Sequence, residues 1–293
     1  MRGFALLTVL GWSGSPLAAS FSGATALEYA AKAAAIGPRH PGSAGHREVQ
    51  RWIGAELKKL GCDVQEDVFV ADTPLGPIRM ANLITRFGGR SGRAVVYSGH
   101  YDTKYLPGIR FVGANDGGSS TGLLLELARV LAGKPRVHDV YLVWFDGEEA
   151  LGEWSEKDGL HGSRHLAARW KNDGTLAKVL ALVNVDMTGD RDLLMLREYY
   201  STPSLAGMIR AAADQLGYGR HFSGPPGAVE DDHVPFLRLG VPAADLIDFD
   251  YGPGNRYWHT EEDTIDKLSA ESFRVVGEVL LKVLTALESQ PPP

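Results

Sequence analysis

The chain has 293 residues, 44% of them hydrophobic and 23% charged, enough to bury one large core and near the upper size of a single domain. Its 36 acidic and 30 basic residues leave a net charge of -6 without a long run of either sign, which argues against a polyanion-binding surface and against nucleic acid as a partner. A single cysteine, Cys62, excludes an intrachain disulfide framework and a four-cysteine zinc site, so any metal must be held by His, Asp and Glu.

The N-terminus reads as a short positive start at Arg2, a short apolar core from Phe4 to Val9, and small residues through Ala18, Ala19 and Ser20. This pattern fits a secretory signal over residues 1–20, with a single domain over 21–293 and a secreted or periplasmic location; the other reading is a buried N-terminal helix. No other apolar run reaches membrane length. Helical spacing then predicts helices over 24–35 and 48–60, separated by the turn-rich stretch from Gly37 to Ser43. Apolar, β-prone runs predict strands over 80–86, 94–98, 140–145, 179–185, 193–196 and 244–249, and helices are expected at 120–132, 163–170, 204–216 and 270–288. Strands alternating with helices of this length predict an α/β three-layer sandwich, its central mixed, largely parallel sheet covered by helices on both faces.

The polar residues of interest stand where strands end, the usual place for a site in such sheets. His100-Tyr101-Asp102 follows one strand, Asp146-Gly147-Glu148-Glu149 another, and Asp186 closes a third. Buried carboxylates that converge call for a cation. Asp116, Glu149 and His259 can offer zinc two oxygens and one nitrogen and leave one position open. His100 and Asp186 can complete a second site with Asp116 shared, and Asp102 is placed to fix the imidazole of His100 by accepting its ring proton.

Taken together, His100-x-Asp102, the segment Gly113 to Gly118, Asp146 to Glu149, Asp186 and Trp258-His259-Thr260 resemble the zinc aminopeptidase superfamily M28, and within it the glutaminyl cyclase branch. Further matching pieces are Pro41-Gly42-Ser43, Thr73 to Gly76, Gly162 to Ala167, Asp231 to Phe236 and Gly240-Val241-Pro242. The resemblance implies that Asp116, Glu149 and His259 bind one Zn2+, a second being possible, with Glu148 as the acid/base. It also implies that Asp186 and Asp231 form a hydrogen-bonded acidic pair and that Trp154 and Trp258 wall the substrate pocket. The cysteine pair of animal cyclases is missing, since Gly99 precedes His100, and Gly113 to Gly118 is closer to aminopeptidases and bacterial cyclases.

The expected reaction is cyclisation of an N-terminal Gln of a peptide or protein to pyroglutamate with loss of ammonia, carried out by a monomer. The competing reading is a secreted di-zinc aminopeptidase in which Glu148 activates water. A third, a serine hydrolase using Gly118-x-Ser120-x-Gly122, needs a buried strand immediately before the serine, whereas the residues there form a polar glycine-rich loop; Ser119 and Ser120 are expected to cap the following helix. The segment Asp250 to Tyr257 is expected to rim the pocket.

Overall fold

A computed structural model describes residues 20–290, so the proposed signal segment lies outside the described residues except for Ser20. Three of the helices start where a serine side chain caps them. Ser22 opens α1 (Gly23–Ile36), Ser43 opens α2 (Ala44–Lys59) and Ser269 opens α7 (Ala270–Glu288), each Oγ accepting a backbone N–H three residues on. The remaining helices are α3 (Gly118–Leu131), α4 (His161–Asp173), α5 (Pro203–Gln215) and the single turn α6 (Val234–Leu237).

Six strands form the central sheet: β1 (Gln65–Thr73), β2 (Gly76–Phe87), β3 (Ala94–His100), β4 (Asp139–Phe145), β5 (Val179–Asp186) and β8 (Ala243–Ile247). Their order is β1-β2-β4-β3-β5-β8; β1 and β2 run antiparallel to their neighbours, and β4, β3, β5 and β8 are mutually parallel. Alternation along the strands divides the interior into two layers. Val95, Tyr97, Leu142, Trp144 and Val183 face α1, α2, α3, α5 and α7, while Val96, Val143, Phe145 and Leu182 face α4 and α6. The three-layer, mixed α/β expectation therefore holds. Helix α3 is buried on every side, and its Glu126 is tolerated there because it accepts from the Ser22 N–H (2.6 Å) and pairs with Arg129 (2.6 Å).

Two strand assignments from sequence differ from the structure. Residues 193–196 form no strand, because their N–H groups go to three unrelated acceptors: Leu194 to Asp248 Oδ2, Met195 to the His221 carbonyl and Leu196 to the Ile247 carbonyl. A two-residue pairing of β6 (Arg197–Glu198) with β7 (Pro226–Gly227) follows instead. Strand β1 had no sequence signal. Its alternation is blurred, with Val68 and Val70 pointing to solvent while the inward face carries Phe69 and Ala71 beside a buried Asp67 that accepts from Asn82 Nδ2 at 2.9 Å.

Candidate metal centre and substrate pocket

Because β4, β3, β5 and β8 are parallel, their carboxyl ends open on one edge of the sheet. His100 is the last residue of β3 and Asp186 the last of β5, and the loop after β4 carries Glu148 and Glu149. That loop is pinned at its root by Asp146, whose carboxylate meets His46 Nε2 (2.7 Å) and accepts the Ala81 N–H (2.6 Å). At its tip the Glu148 and Glu149 N–H groups donate to Asp102 Oδ1 and Oδ2 at 3.2 and 3.3 Å. Asp102 was expected to hold the His100 ring. Its nearer oxygen stands 3.5 Å from His100 Nδ1, so the carboxylate faces that ring while it also holds the acidic loop.

Asp116 lies in the turn before α3. The carboxylate of Asp263 holds that turn, accepting the N–H of Asn115 (2.8 Å) and of Asp116 (3.2 Å) together with the Tyr251 hydroxyl (2.9 Å). Next in line, Gly117 has φ 72°, and a Cβ there would lie 2.3 Å from the Asp102 carbonyl and 3.1 Å from the His100 ring, so only glycine lets the two loops approach. His259 reaches in from a loop with φ 54°, a left-handed backbone that a histidine adopts only when its surroundings enforce it. Its ring stacks on Trp258, centroids 4.0 Å apart.

These side chains converge. His259 Nε2 is 2.9 Å from Glu149 Oε1 and 3.2 Å from Asp116 Oδ2, while His100 Nε2 is 3.2 Å from Asp116 Oδ1 and 3.1 Å from Asp186 Oδ1. Two groups have donor atoms within 4.8 Å of one another: Asp116, Glu149 and His259, and His100, Asp116 and Asp186. Among the described residues these are the two clusters that could hold a metal. The first set suits zinc: two carboxylates and one imidazole leave a fourth position free, and Asp116 Oδ2 is buried without a hydrogen bond of its own. The electrostatics reflect the crowding. Burial, with Glu149 and Asp231 adding to it, keeps the Glu148 carboxyl well above its ordinary range, and burial pushes Asp186 up to about 7. Burial would also raise Asp116, but the attraction of the two histidines beside it, His100 and His259, outweighs it and holds that acid down. Despite its own burial, His259 is raised to about 10 by Glu149 and Asp116.

A pocket of about 560 Å³ opens over the cluster. Its floor includes Glu148, Glu149 and Asp186, and its walls include Trp258, Phe249 and the half-exposed Trp154. Asp231 lines it too, its oxygens accepting from Asn184 Nδ2 (3.0 Å) and the Asp232 N–H (2.5 Å), and its charge bears on Asp186, the acid with which it is expected to pair. The segment after Phe249 rims the pocket less than expected, since Tyr251 turns inward to Asp263 and only the flanks Phe249 and Trp258 line it. Lys104, 3.5 Å from Glu149 Oε2, and Phe249 are pocket residues to which the sequence reading gave no role.

The serine-hydrolase geometry is absent. Ser119 and Ser120 sit fully buried in the first turn of α3, donating to the carbonyls of Asn115 (2.6 Å) and His100 (2.6 Å). Neither is the helix cap, a position held by Gly117 without a side-chain bond.

Residues 82–284, a span that takes in the whole cluster, match the sequence profile of peptidase family M28. The chain belongs to that family. It is 33% identical over 268 residues to the glutaminyl-peptide cyclotransferase of Drosophila melanogaster, covering 82% of this chain and 75% of that protein. Among solved structures, an Acidobacteriales bacterium glutaminyl cyclase is 41% identical and covers 97% of this chain and 100% of its own, with a TM-score of 0.90. A leucine aminopeptidase precursor from Bacteroides thetaiotaomicron superposes with a TM-score of 0.83 at 23% identity over 94% of this chain and 99% of its own, a likeness of fold alone. Fold by itself therefore does not separate this family's cyclases from its peptidases.

Proposed function

We propose that the chain is a zinc-dependent glutaminyl-peptide cyclotransferase acting on N-terminal Gln of peptides and proteins. The observation that carries this reading is one aromatic-walled pocket in which Glu148, kept protonatable by burial, stands beside the Asp116, Glu149 and His259 cluster. The 41% identity to a bacterial glutaminyl cyclase over nearly the whole chain supports it. Zinc held by Asp116, Glu149 and His259 would supply a Lewis acid for the substrate's γ-amide carbonyl.

The chain's own residues do the rest. Trp258, Phe249 and Trp154 confine one glutamine so that its α-amine faces its own γ-carbon, which converts an encounter into a ring closure. A C–N bond forms between them and the bond to the amide nitrogen breaks. Glu148 takes the proton that the amine sheds and delivers it to the departing ammonia, a role for which a carboxyl raised well above its ordinary range is suited. Asp186 and Asp231 present acidic groups to the same end of the substrate. Lys104 neutralises part of the charge beside Glu149.

One zinc per chain, a monomer, and export guided by residues 1–20 are parts of the same proposal. The aminopeptidase reading draws on the second cluster, His100 with Asp116 and Asp186. A paired assay on zinc-loaded protein decides between them, following ammonia loss from a Gln-initiated peptide by mass and release of the first residue from a Leu-initiated one, with metal counted on the same sample. Cyclisation with about one zinc is expected; release of Leu with two metals and no cyclisation would overturn the proposal.

A further inference from the structure

Arg39, in the turn between α1 and α2, touches none of the residues assigned to the chemistry, yet it is fully buried. Its guanidinium contacts no carboxylate. It donates instead to backbone carbonyls: Nε to Tyr101 (3.1 Å), Nη1 to Val112 (2.5 Å) with Ala33 and Gly37 at 3.3 Å, and Nη2 to Gly113 (2.9 Å). Its own N–H donates to Thr103 Oγ1 at 2.9 Å. Tyr101 sits between His100 and Asp102, and Gly113 begins the turn that ends at Asp116. One side chain thus bridges the loop after β3 and the loop before α3 and anchors both to the end of α1.

We propose that Arg39 is a positioning residue that sets the spacing between the turn carrying Asp116 and the loop after β3, whose Asp102 holds the Glu149 N–H, and so the donor geometry open to zinc. The inference rests on the metal reading given above. A buried charge carries a desolvation cost that a methionine or leucine of similar reach avoids, so filling space does not explain it. What an apolar side chain lacks is a rigid planar fork of five donors able to hold several carbonyls at fixed angles. The positive charge also has a use here. Asp263, Asp116 and Asp102 attract it from beyond contact distance, and burial, though it lowers the guanidinium to about 10, leaves it charged at neutral pH. A lysine keeps the charge but reaches only one or two of the carbonyls. Loosening the two loops should act on the metal as well as on the fold, since Tyr101 and Val112, whose carbonyls Arg39 holds, also belong to the main core, and the test therefore reads both.

The test is zinc affinity measured by chelator competition on Arg39→Lys, with cooperative melting verified on the same sample. Supporting residues around a metal site typically change affinity by about 10- to 100-fold, and a loss of that size is expected. Tyr97→Phe is the control: it removes a bond to the Leu280 carbonyl in the core (2.7 Å), lowers stability at a distance, and should leave zinc affinity unchanged. Arg39→Lys binding zinc within twofold of wild type would overturn the proposal. So would equal losses in both variants that merely track their melting temperatures. Should Arg39→Lys fail to fold, Thr103→Val loosens the same clamp from its other end. A several-fold loss of affinity there supports the proposal, and no loss overturns it. Wild-type protein that binds no zinc would instead defeat the metal reading itself, a result distinguishable from the others.

Discussion

Asp248, just past β8, is a buried acid outside both metal-binding clusters, and it should make the enzyme's stability depend on pH in a way one substitution removes. It is 1% exposed, and its Oδ2 accepts the Leu194 N–H at 2.7 Å. Burial, joined by the charge of Asp190 and only partly countered by backbone N–H groups, pushes it from an ordinary 3.8 up to about 7. A folded-state value above the unfolded one means the fold holds this proton more tightly. The associated stability is complete below about 4 and is lost as pH rises through about 7. At about 1.36 kcal/mol per pH unit the whole window is worth about 4 kcal/mol, of which roughly 3 kcal/mol falls between pH 5 and pH 8. Asp248→Asn keeps an oxygen for Leu194 and cannot ionise. Melting wild type and variant side by side at both pH values isolates the effect from every other titrating group. The difference between them should swing toward the variant at pH 8 by roughly 5–10 °C, at about 2–4 °C per kcal/mol for a chain of this size. Whatever fixed cost the amide brings cancels in that comparison. A difference that stays constant from pH 5 to pH 8 would refute the reasoning.

Glu148→Gln should lower kcat/KM by about 10²- to 10⁴-fold with zinc content unchanged, the range expected for loss of a general acid/base; full activity with metal bound would sink its assigned role. Trp258→Ala removes a pocket wall and the stacking surface of His259, and should raise KM for a Gln-initiated peptide roughly tenfold while zinc stoichiometry is retained. Gly99→Ala places a methyl 2.5 Å from the Val185 carbonyl and 2.6 Å from Ser120 Cβ. With β5 and α3 both fixed, the strain should cost about 1–3 kcal/mol or more, read as a lower melting temperature in thermal denaturation. Removing metal with a chelator should abolish turnover and lower the melting temperature, since zinc at a hundred times its dissociation constant adds about 2.7 kcal/mol; unchanged melting would argue against a metal centre in the folded protein.

The layout of the fold and the cluster could be read from sequence because both follow local rules. Apolar runs such as 140–145 and 179–185 lie in the centre of a sheet buried on both faces, where composition and position agree, and β4 and β5 appear within a residue or two of expectation. The acids at their exits stand out because buried carboxylates are rare without a partner. What stayed hidden depends on partners far away in the chain. Asp263 matters through the N–H groups of Asn115 and Asp116, and Arg39 through carbonyls more than sixty residues on; backbone atoms leave no trace in composition. The second task of Asp102, accepting the Glu148 and Glu149 N–H groups, was hidden for the same reason, being set by where the loop after β4 folds back. Strand β1 was missed because Val68 and Val70 face solvent and one of its inward positions is an aspartate satisfied by Asn82, which blurs the alternation a half-buried strand normally shows.

Burial acts on the acids here in two ways, and the difference bears on function. Asp248 and Asp186 are both pushed up to about 7 by burial. Asp248 meets that cost with backbone N–H groups, next to two further acids, and gains nothing from a cation it cannot reach. Asp186 stands 3.1 Å from His100 and shares the pocket with Glu148 and Asp231, so its environment changes with whatever occupies the cluster. Placing several carboxyls in one dry pocket works against folding, because each prefers water. It also holds Glu148 well above the ordinary carboxyl range, which suits a group proposed to take and give a proton in one turnover. The fold carries this arrangement because the scaffold around it is redundant: Asp146 with His46 and Asp102 hold the loop after β4, Asp263 with Tyr251 and Arg39 hold the loop before α3, and none of these contacts uses the side chains left facing the substrate. The groups proposed for the chemistry are thus kept poorly satisfied while the groups that place them are almost fully satisfied, and it is the second set that makes the first affordable.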